Sequence, residues 1–432
     1  MASIHELYQL YIECNYTVGS DTRKIEPNSI FFALKGANFN ANAFARQAIE
    51  GGAKWAIIDE PEFEITGRTI LVDDCLKTLQ KLANHHRHQL KIPFIGIGGS
   101  NGKTTTKELV HSVLSQRYKT ISTPGNFNNH IGVPLTILGI KPDTEMAVIE
   151  LGANQIGDIE ELCKIAEPDY GLITNIGKEH LEGFGSLEGV AKAESELYYH
   201  LLKSNGLAFV NLDDDWLTRM ASRLTNVQWY ATKTEKATTY CHLVKDFPNI
   251  EFTYNSLPIN SLLSGSYNFE NIMAAVAIGQ YFEVSDQLIK QGIESYVPKN
   301  KRSQVITVGS TMIFLDAYNA NPSSMEKALE NFARFDFPKK IALLGDMFEM
   351  GTHAEPEHKL IYDYANSLNF DHLYVAGEHF KKQALANNKN GYNTAEEINV
   401  LLKTINLDHT AIFIKGSRGM AMENSLKGII EF

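Results

Sequence analysis

Cysteine is scarce in this sequence. Four residues in 432 (Cys14, Cys75, Cys163 and Cys241) stand far apart, with no C-x-x-C pair for zinc or redox work. No run approaches the roughly 18 apolar residues of a membrane span. The first residues, "MASIHELYQLYIECNY", lack the basic start and apolar core of a signal peptide. A basic surface is missing as well: the formal charge of −11 argues against nonspecific binding to nucleic acid or anionic membranes. Any phosphorylated ligand must therefore be held by local Lys, Arg and backbone N–H groups. Fixed-period repeats and low-complexity tracts are also absent. These absences predict a reduced, soluble, cytoplasmic protein. The hydrophobic and charged shares, 44% and 21%, are those of a globular chain long enough for two or three domains.

One more absence concerns a glycine. The stretch 96–108, "GIGGSNGKTTTKE", reads as a phosphate-binding loop, yet the usual G-x-x-x-x-G-K-[ST] spelling wants glycine where Ile97 stands. The context still fits. The apolar run at 92–95, "IPFI", predicts a strand leading into the glycines. The segment "TTTKELVHSVLSQRY" predicts a helix after them, with Leu109, Val110, Val113 and Leu114 on one face. Glycines let the backbone curl so that N–H groups point inward, and the helix start adds partial positive charge. Lys103 would reach the β/γ-phosphates and the Thr104 hydroxyl would ligate Mg²⁺. Glu150 closes the apolar strand "AVIE", where a metal-holding acid is expected. The tract "HHRH" (His85–His88) invites a metal reading, but adjacent histidines without partners predict a solvated helix end.

Three blocks separate by pattern. Residues 1–84 read as a small α/β unit, with "SIFFALKG" and "AKWAIIDE" flanking the helical "NAFARQAIEGG". Residues 85–300 carry the loop, and "AVIELGA", "YGLITNIG" and "LAFVNLDDD" alternate with helical segments, which implies a parallel sheet. Residues 301–432 repeat the alternation through "MIFLDAYNANP", "KKIALLGDM", "HLYVAGEH" and "AIFIKGSRG". The expectation is an α/β protein of three domains: a small N-terminal α/β domain, a central domain with a mostly parallel sheet of P-loop type, and a C-terminal Rossmann-like domain. Ligands are expected at the carboxyl ends of the strands.

Landmarks along the whole chain resemble the Mur ligase family. They include "SDTRKIEPNSIFFALKG" (20–36), "GSNGKTTTKE" (99–108), "TPGNFNNHIGVPLTIL" (123–138), "IELGANQIGDI" (149–159) and "NIGKEHLEGFGSLEGVAKAESEL" (175–197). Further on come "GSYNFENIMAA" (265–275), "DAYNANPSSM" (316–325), "LGDMFEMG" (344–351) and "KGSRGMAME" (415–423). "YNANPSSM" and "LGDMFEMG" resemble the branch that joins D-alanyl-D-alanine to UDP-N-acetylmuramoyl-tripeptide in peptidoglycan synthesis. The D-N-P-R string of a diaminopimelate-adding relative is absent.

The resemblance implies a cytoplasmic, monomeric, ATP- and Mg²⁺-dependent amide ligase working through an acyl phosphate. ATP would sit on Gly99, Ser100, Asn101, Gly102, Lys103 and Thr104, with Asn268 and Asn271 near the adenine and Arg302 and Asp316 reaching phosphates and ribose. Lys103, Glu150, His180 and Glu194 would be the catalytic set, and Thr104, Glu150, His180 and Glu194 the metal ligands. Ser20, Asp21, Thr22, Arg23, Lys35 and Asn42 would take the uridine diphosphate end. Tyr318, Asn319, Asn321, Lys415, Ser417 and Arg418 would take D-alanyl-D-alanine.

Three departures stand out. Glu194 occupies the place of a lysine that the family carbamoylates, so it is expected to substitute directly, with Lys192 as the alternative carbamate carrier. Tyr267 stands where histidine is common, and "FNANAF" (39–44) replaces the usual string around Asn42. The third residue of the tripeptide, diaminopimelate or lysine, and the proton acceptor stay open. Another ligase of the same superfamily, such as a folyl-peptide relative, and a nucleotide-binding regulator without chemistry are the competing readings.

Overall fold

The structure is a computed structural model that describes residues 2–36, 38–299 and 301–430. Three sheets carry the chain. The first runs in the order Val18–Gly19, Ile30–Phe32, Trp55–Ile58, Thr69–Leu71, with every neighbouring pair parallel. The second has seven parallel strands in the order Thr239–Tyr240, Val227–Ala231, Leu207–Asn211, Tyr170–Ile173, Phe94–Gly98, Met146–Glu150, Thr120–Ser122. The third sets Thr311–Asp316, Thr410–Lys415, Lys339–Gly345 and His372–Ala376 parallel, with Gln304–Val308 antiparallel on its edge.

Central strands of such sheets are covered on both faces, so they read as unbroken apolar runs rather than alternating ones. Phe94–Gly98 and Met146–Glu150 are buried at every residue. Helix Lys103–Leu114 packs Leu109, Val110, Val113 and Leu114 into the core against helix Ser266–Tyr281, which is apolar and buried from Ile272 to Gly279. A helix apolar around most of its circumference can only be stable when surrounded. Between them the chain adds a three-stranded antiparallel meander, His242–Lys245, Glu251–Tyr254 and Leu257–Asn260, that the sequence reading did not expect.

Helix Cys75–Gln89 crosses the expected 84/85 boundary and packs on Ile4–Glu13, Gly132–Leu138 and Asp158–Ala166. One hydrophobic cluster, from Leu7 to Ala221, therefore runs through both the first sheet and one face of the second. This helix also corrects the reading of "HHRH" as a solvated end. His86 is buried, its Nε2 lying 3.0 Å from the Ile140 carbonyl and its Nδ1 3.1 Å from the Tyr8 hydroxyl. Arg87 is also buried; it donates to the Ala166 and Glu167 carbonyls and to Asp169, and stacks 4.0 Å from the centre of the Phe94 ring. The tract joins two sheets.

Candidate active site

The phosphate loop leaves strand Phe94–Gly98 and enters helix Lys103–Leu114 through two left-handed glycines, Gly99 (φ 111°) and Gly102 (φ 84°). Both are required. A Cβ at Gly99 would lie 2.2 Å from Thr174 Oγ1, and one at Gly102 would lie 2.5 Å from Asn271 Oδ1. A tighter loop than the usual one is thus wedged between two neighbouring elements. The helix start, whose first N–H groups lack helical partners, opens on a cleft of about 460 Å³. Ser100, Asn101, Gly102, Lys103 and Thr104 line it; Gly99 does not.

Lys103 is folded back in this state. Its Nζ donates to the carbonyls of Gly99 and Ser100 and lies 3.4 Å from Glu179 Oε2. Burial opposes its charge, but Glu179, Glu194 and Glu150 outweigh burial and raise its pKa. Thr104 Oγ1 donates to Glu150 Oε1 at 3.1 Å, and Asn128 Nδ2 donates to the same oxygen at 2.9 Å. Glu150 Oε2 finds no hydrogen-bond partner and lies 3.6 Å from Lys107 Nζ, which donates to the Thr123 and Gly125 carbonyls. Lys107, Asn128 and Glu179 belong to strings quoted above, but no residue spacing singles them out. Only the fold brings them to Glu150 and Lys103.

Glu194 departs from expectation. It is fully buried beneath the loop, accepts the Gly99 N–H on Oε2 at 2.6 Å, and does not line the cleft. Its Oε1 has no partner, and burial pushes its pKa up to about 7. Lys192 lies on the exposed side of helix Leu187–Ser204, away from the cleft, which removes it as a carbamate carrier there.

His180 lines the cleft in a left-handed conformation (φ 42°), with Nδ1 2.8 Å from Glu349 Oε2. Burial works against its charge, but the Glu349 hydrogen bond and the Glu179 and Glu349 carboxylates outweigh it, so its pKa is raised. Glu349 lies beyond the third sheet, so this contact crosses the cleft. So do Asn321 Nδ2 to Asn101 Oδ1 (2.8 Å), the Lys178 N–H to Ser323 Oγ (2.8 Å) and Lys178 Nζ to Glu357 Oε1 (2.6 Å).

The opposite wall carries Arg302, Asp316, Tyr318, Asn319, Asn321, Lys415, Ser417 and Arg418, all expected from the sequence. Strands Thr311–Asp316 and Thr410–Lys415 are parallel neighbours and place Asp316 beside Lys415, which form an ion pair. Ser417 Oγ accepts the Phe348 N–H at 2.8 Å. Asn268 and Asn271 line the loop side. Asn271 Nδ2 donates to Asn268 Oδ1 (3.0 Å), and its own Oδ1 accepts from Thr106 Oγ1 (3.1 Å). Tyr267 also lines the cleft, its hydroxyl 3.4 Å from Ser303 Oγ.

The residues expected at the uridine end do not line this cleft. Asp21 chelates Arg23 at 2.8 and 2.9 Å, and those hydrogen bonds hold its pKa down to about 2; Ser20 and Thr22 flank them, partly exposed. Lys35 Nζ lies 2.8 Å from Glu60 and 2.9 Å from Asp59, which raise its pKa. Asn42 is fully buried: its amide donates to Asn40 and Asp59 and its Oδ1 accepts the Asp59 N–H. It is a brace inside the first domain, not an open contact.

A hard divalent cation such as Mg²⁺ suits oxygen donors and is usually held by one or two carboxylates together with phosphates and water. The orphaned oxygens of Glu150 and Glu179 and the Thr104 hydroxyl, all lining the cleft, fit that chemistry, whereas Glu194 lies beneath the loop. Among the described residues no three His, Cys, Asp or Glu side chains form a metal cluster by themselves.

Comparison with known proteins agrees with this geometry. Residues 97–279 match the Mur ligase middle domain, and residues 301–418 match the Mur ligase, glutamate ligase domain. The UDP-N-acetylmuramoyl-tripeptide–D-alanyl-D-alanine ligase of Bacillus subtilis (strain 168) is 34% identical over 431 residues, covering 96% of this chain and 93% of that one. A crystal structure of MurF from Acinetobacter baumannii superposes with a TM-score of 0.84 at 30% identity, covering 96% of each chain. The MurF ligase of Thermotoga maritima, solved in complex with ADP, gives 0.83 at 26% identity, covering 99% of this chain and 98% of that one. With both domains matched and a relative similar from end to end, the chain belongs to the Mur ligase family.

Proposed function

We propose that the protein joins D-alanyl-D-alanine to UDP-N-acetylmuramoyl-tripeptide, with conversion of ATP to ADP and phosphate, in the synthesis of peptidoglycan precursor. The observation that carries this reading is the meeting, in one cleft, of a phosphate loop with Glu150 and a facing wall built on "YNANPSSM" and "KGSRGMAME". Chain-long relatives carry the same activity in their names.

A carboxylate does not react with an amine in water, because its oxygen leaves poorly. Transfer of the γ-phosphoryl group to the terminal carboxylate of the tripeptide gives an acyl phosphate, which is a good electrophile. Two anions must first approach, and Lys103, released from its loop carbonyls, meets the charge that develops on the transferred group. Thr104 and Glu150 would hold a Mg²⁺ ion, and His180 and Glu179 are the cleft-lining groups available for a second. When bound, these ions supply charge neutralisation on the phosphoryl oxygens. The dipeptide amine must be neutral to attack, and an α-amino pKa near ~8 leaves a minor fraction so at pH 7. Attack forms the C–N bond, expels phosphate, and releases the amine proton to a nearby carboxylate or phosphate oxygen.

Division of labour follows the three domains. Residues 1–84 grip the uridine diphosphate handle, with Ser20, Asp21, Thr22, Arg23 and Lys35 as its contacts. Residues 85–300 hold ATP, and residues 301–432 bring the dipeptide through Asn319, Asn321, Lys415, Ser417 and Arg418. One chain supplies both walls of the cleft, so a monomer suffices. The nucleotide-linked substrate and ATP assign the reaction to the cytoplasm, and no helix among the described residues is long and apolar enough to cross a membrane.

Labelling the terminal carboxylate of the tripeptide with ¹⁸O tests the chemistry. An acyl phosphate transfers one labelled oxygen to the released inorganic phosphate. Label-free phosphate, with the dipeptide adduct still formed, would contradict it.

A further inference from the structure

Arg302 and Arg418 share one aromatic ring. The guanidinium carbon of Arg302 lies 3.6 Å from the centre of the Tyr318 ring, and that of Arg418 lies 5.4 Å from the same centre. All three line the cleft. Of the three lysines that line the cleft, Lys103 is matched by Glu179 and Lys415 by Asp316, while Lys327 forms no ion pair with the described residues. Among the described residues, neither arginine has such a partner. Each therefore leaves its charge for an anion from outside.

The two guanidiniums come from different places. Arg302 sits where the chain enters the third domain, between Lys301 and Ser303, both left-handed (φ 57° and 48°). That backbone costs a non-glycine residue and persists only where neighbours over-determine it. The Ser303 N–H donates to Asp316 Oδ1 at 3.2 Å, and Ser303 Oγ lies 3.4 Å from the hydroxyl of Tyr267, at the start of the helix that backs the phosphate loop. Arg302 is thus at the edge of the opposite wall that adjoins this helix. Arg418 follows strand Thr410–Lys415, elsewhere on the same wall. Neither side chain is fixed by an ion pair, so the ring face is what each rests on.

We propose that Tyr318 is a positioning residue whose ring face sets both arginines at once, Arg302 toward the polyphosphate and Arg418 toward the carboxylate of the incoming dipeptide. This rests on the ligase reading above, and replaces the expectation that Tyr318 touches the dipeptide itself. A guanidinium stacked on an aromatic face keeps its N–H fork free for an anion while losing little freedom on binding. The tyrosine hydroxyl has no part in this.

Steady-state kinetics of Tyr318→Leu and Tyr318→Phe separate ring face from hydroxyl. Loss of the face raises the KM for ATP and the KM for D-alanyl-D-alanine together, each about 3- to 30-fold, with kcat falling by less than either. Tyr318→Phe restores both KM values toward wild type. Thermal melting checks folding, and Tyr318→Met, of similar volume but without a ring, stands in if the leucine variant does not fold. Three patterns would overturn the proposal: Tyr318→Phe as impaired for the dipeptide as the ringless variant, only one KM responding to ring loss, or neither responding. Wild-type protein that forms no ADP with both substrates would instead overturn the ligase reading.

Discussion

Gly102 shows how much one residue decides. Its φ of 84° and the 2.5 Å approach of Asn271 to any added Cβ leave no room for a side chain. Gly102→Ala is expected to cost about 1–3 kcal/mol in stability and to weaken nucleotide binding, read by thermal melting and by titration with ADP. An alanine variant that binds ADP as wild type does would contradict the wedge. Lys107 makes a second case. Its side chain and that of Glu150 are each 1% exposed, so Lys107→Met leaves the Glu150 carboxylate buried without its cation. The expected loss is about 3–5 kcal/mol, measured by denaturant unfolding; a loss under about 1 kcal/mol would contradict the pairing. Lys103, Thr104 and Glu150 were legible in the sequence because loop, helix start and strand end are local patterns. Lys107, Asn128, Glu179 and Glu349 were not, since their partners come from distant segments. Glu194 was half legible: sequence put it in the right string, while only the fold shows it under the loop.

Among elements, helix Cys75–Gln89 does the joining that the sequence reading missed. His86 is neutral there, donating from Nε2 to the Ile140 carbonyl and accepting at Nδ1 from Tyr8, and burial lowers its pKa below the ordinary value. The unfolded chain takes up a proton near pH 6.5 that the folded chain refuses. Stability due to this site is therefore present above about pH 6.5 and lost as pH falls toward the folded pKa. Thermal melting from pH 7.5 to 5 tests it: His86→Gln should show a shallower acid limb than wild type, and parallel curves would contradict the assignment. Parallel strands were readable because both-face burial makes continuous apolar runs. The meander at 242–260 was not, because its strands are four residues each and Glu251–Tyr254 buries only alternate positions.

At the scale of the whole molecule, contacts across the cleft include Asn101 to Asn321, Lys178 to Ser323 and Glu357, His180 to Glu349, and the Glu182 N–H to the Glu349 carbonyl, while Leu181 packs into the third domain's core. Asn101–Asn321 and His180–Glu349 join residues that line the cleft, so closure and site assembly are coupled. A misplacement of about 1 Å at a reacting centre can cost about 100-fold in rate. Glu349→Ala should accordingly slow turnover by about 10- to 100-fold while shifting the melting temperature little, and a variant that melts early with normal turnover would contradict this. The sequence announced three α/β blocks and both walls of the cleft. It could not announce that the first two blocks share a core, since that depends on a helix spanning the boundary.

The most direct test of the central claim is to incubate the purified chain with ATP, Mg²⁺, UDP-N-acetylmuramoyl-tripeptide and D-alanyl-D-alanine, and to follow ADP and the nucleotide product by mass spectrometry. One ADP is expected per UDP-linked pentapeptide, and no pentapeptide when either substrate is left out. Nucleotide hydrolysis without any pentapeptide, or binding of ATP with no turnover, would contradict it.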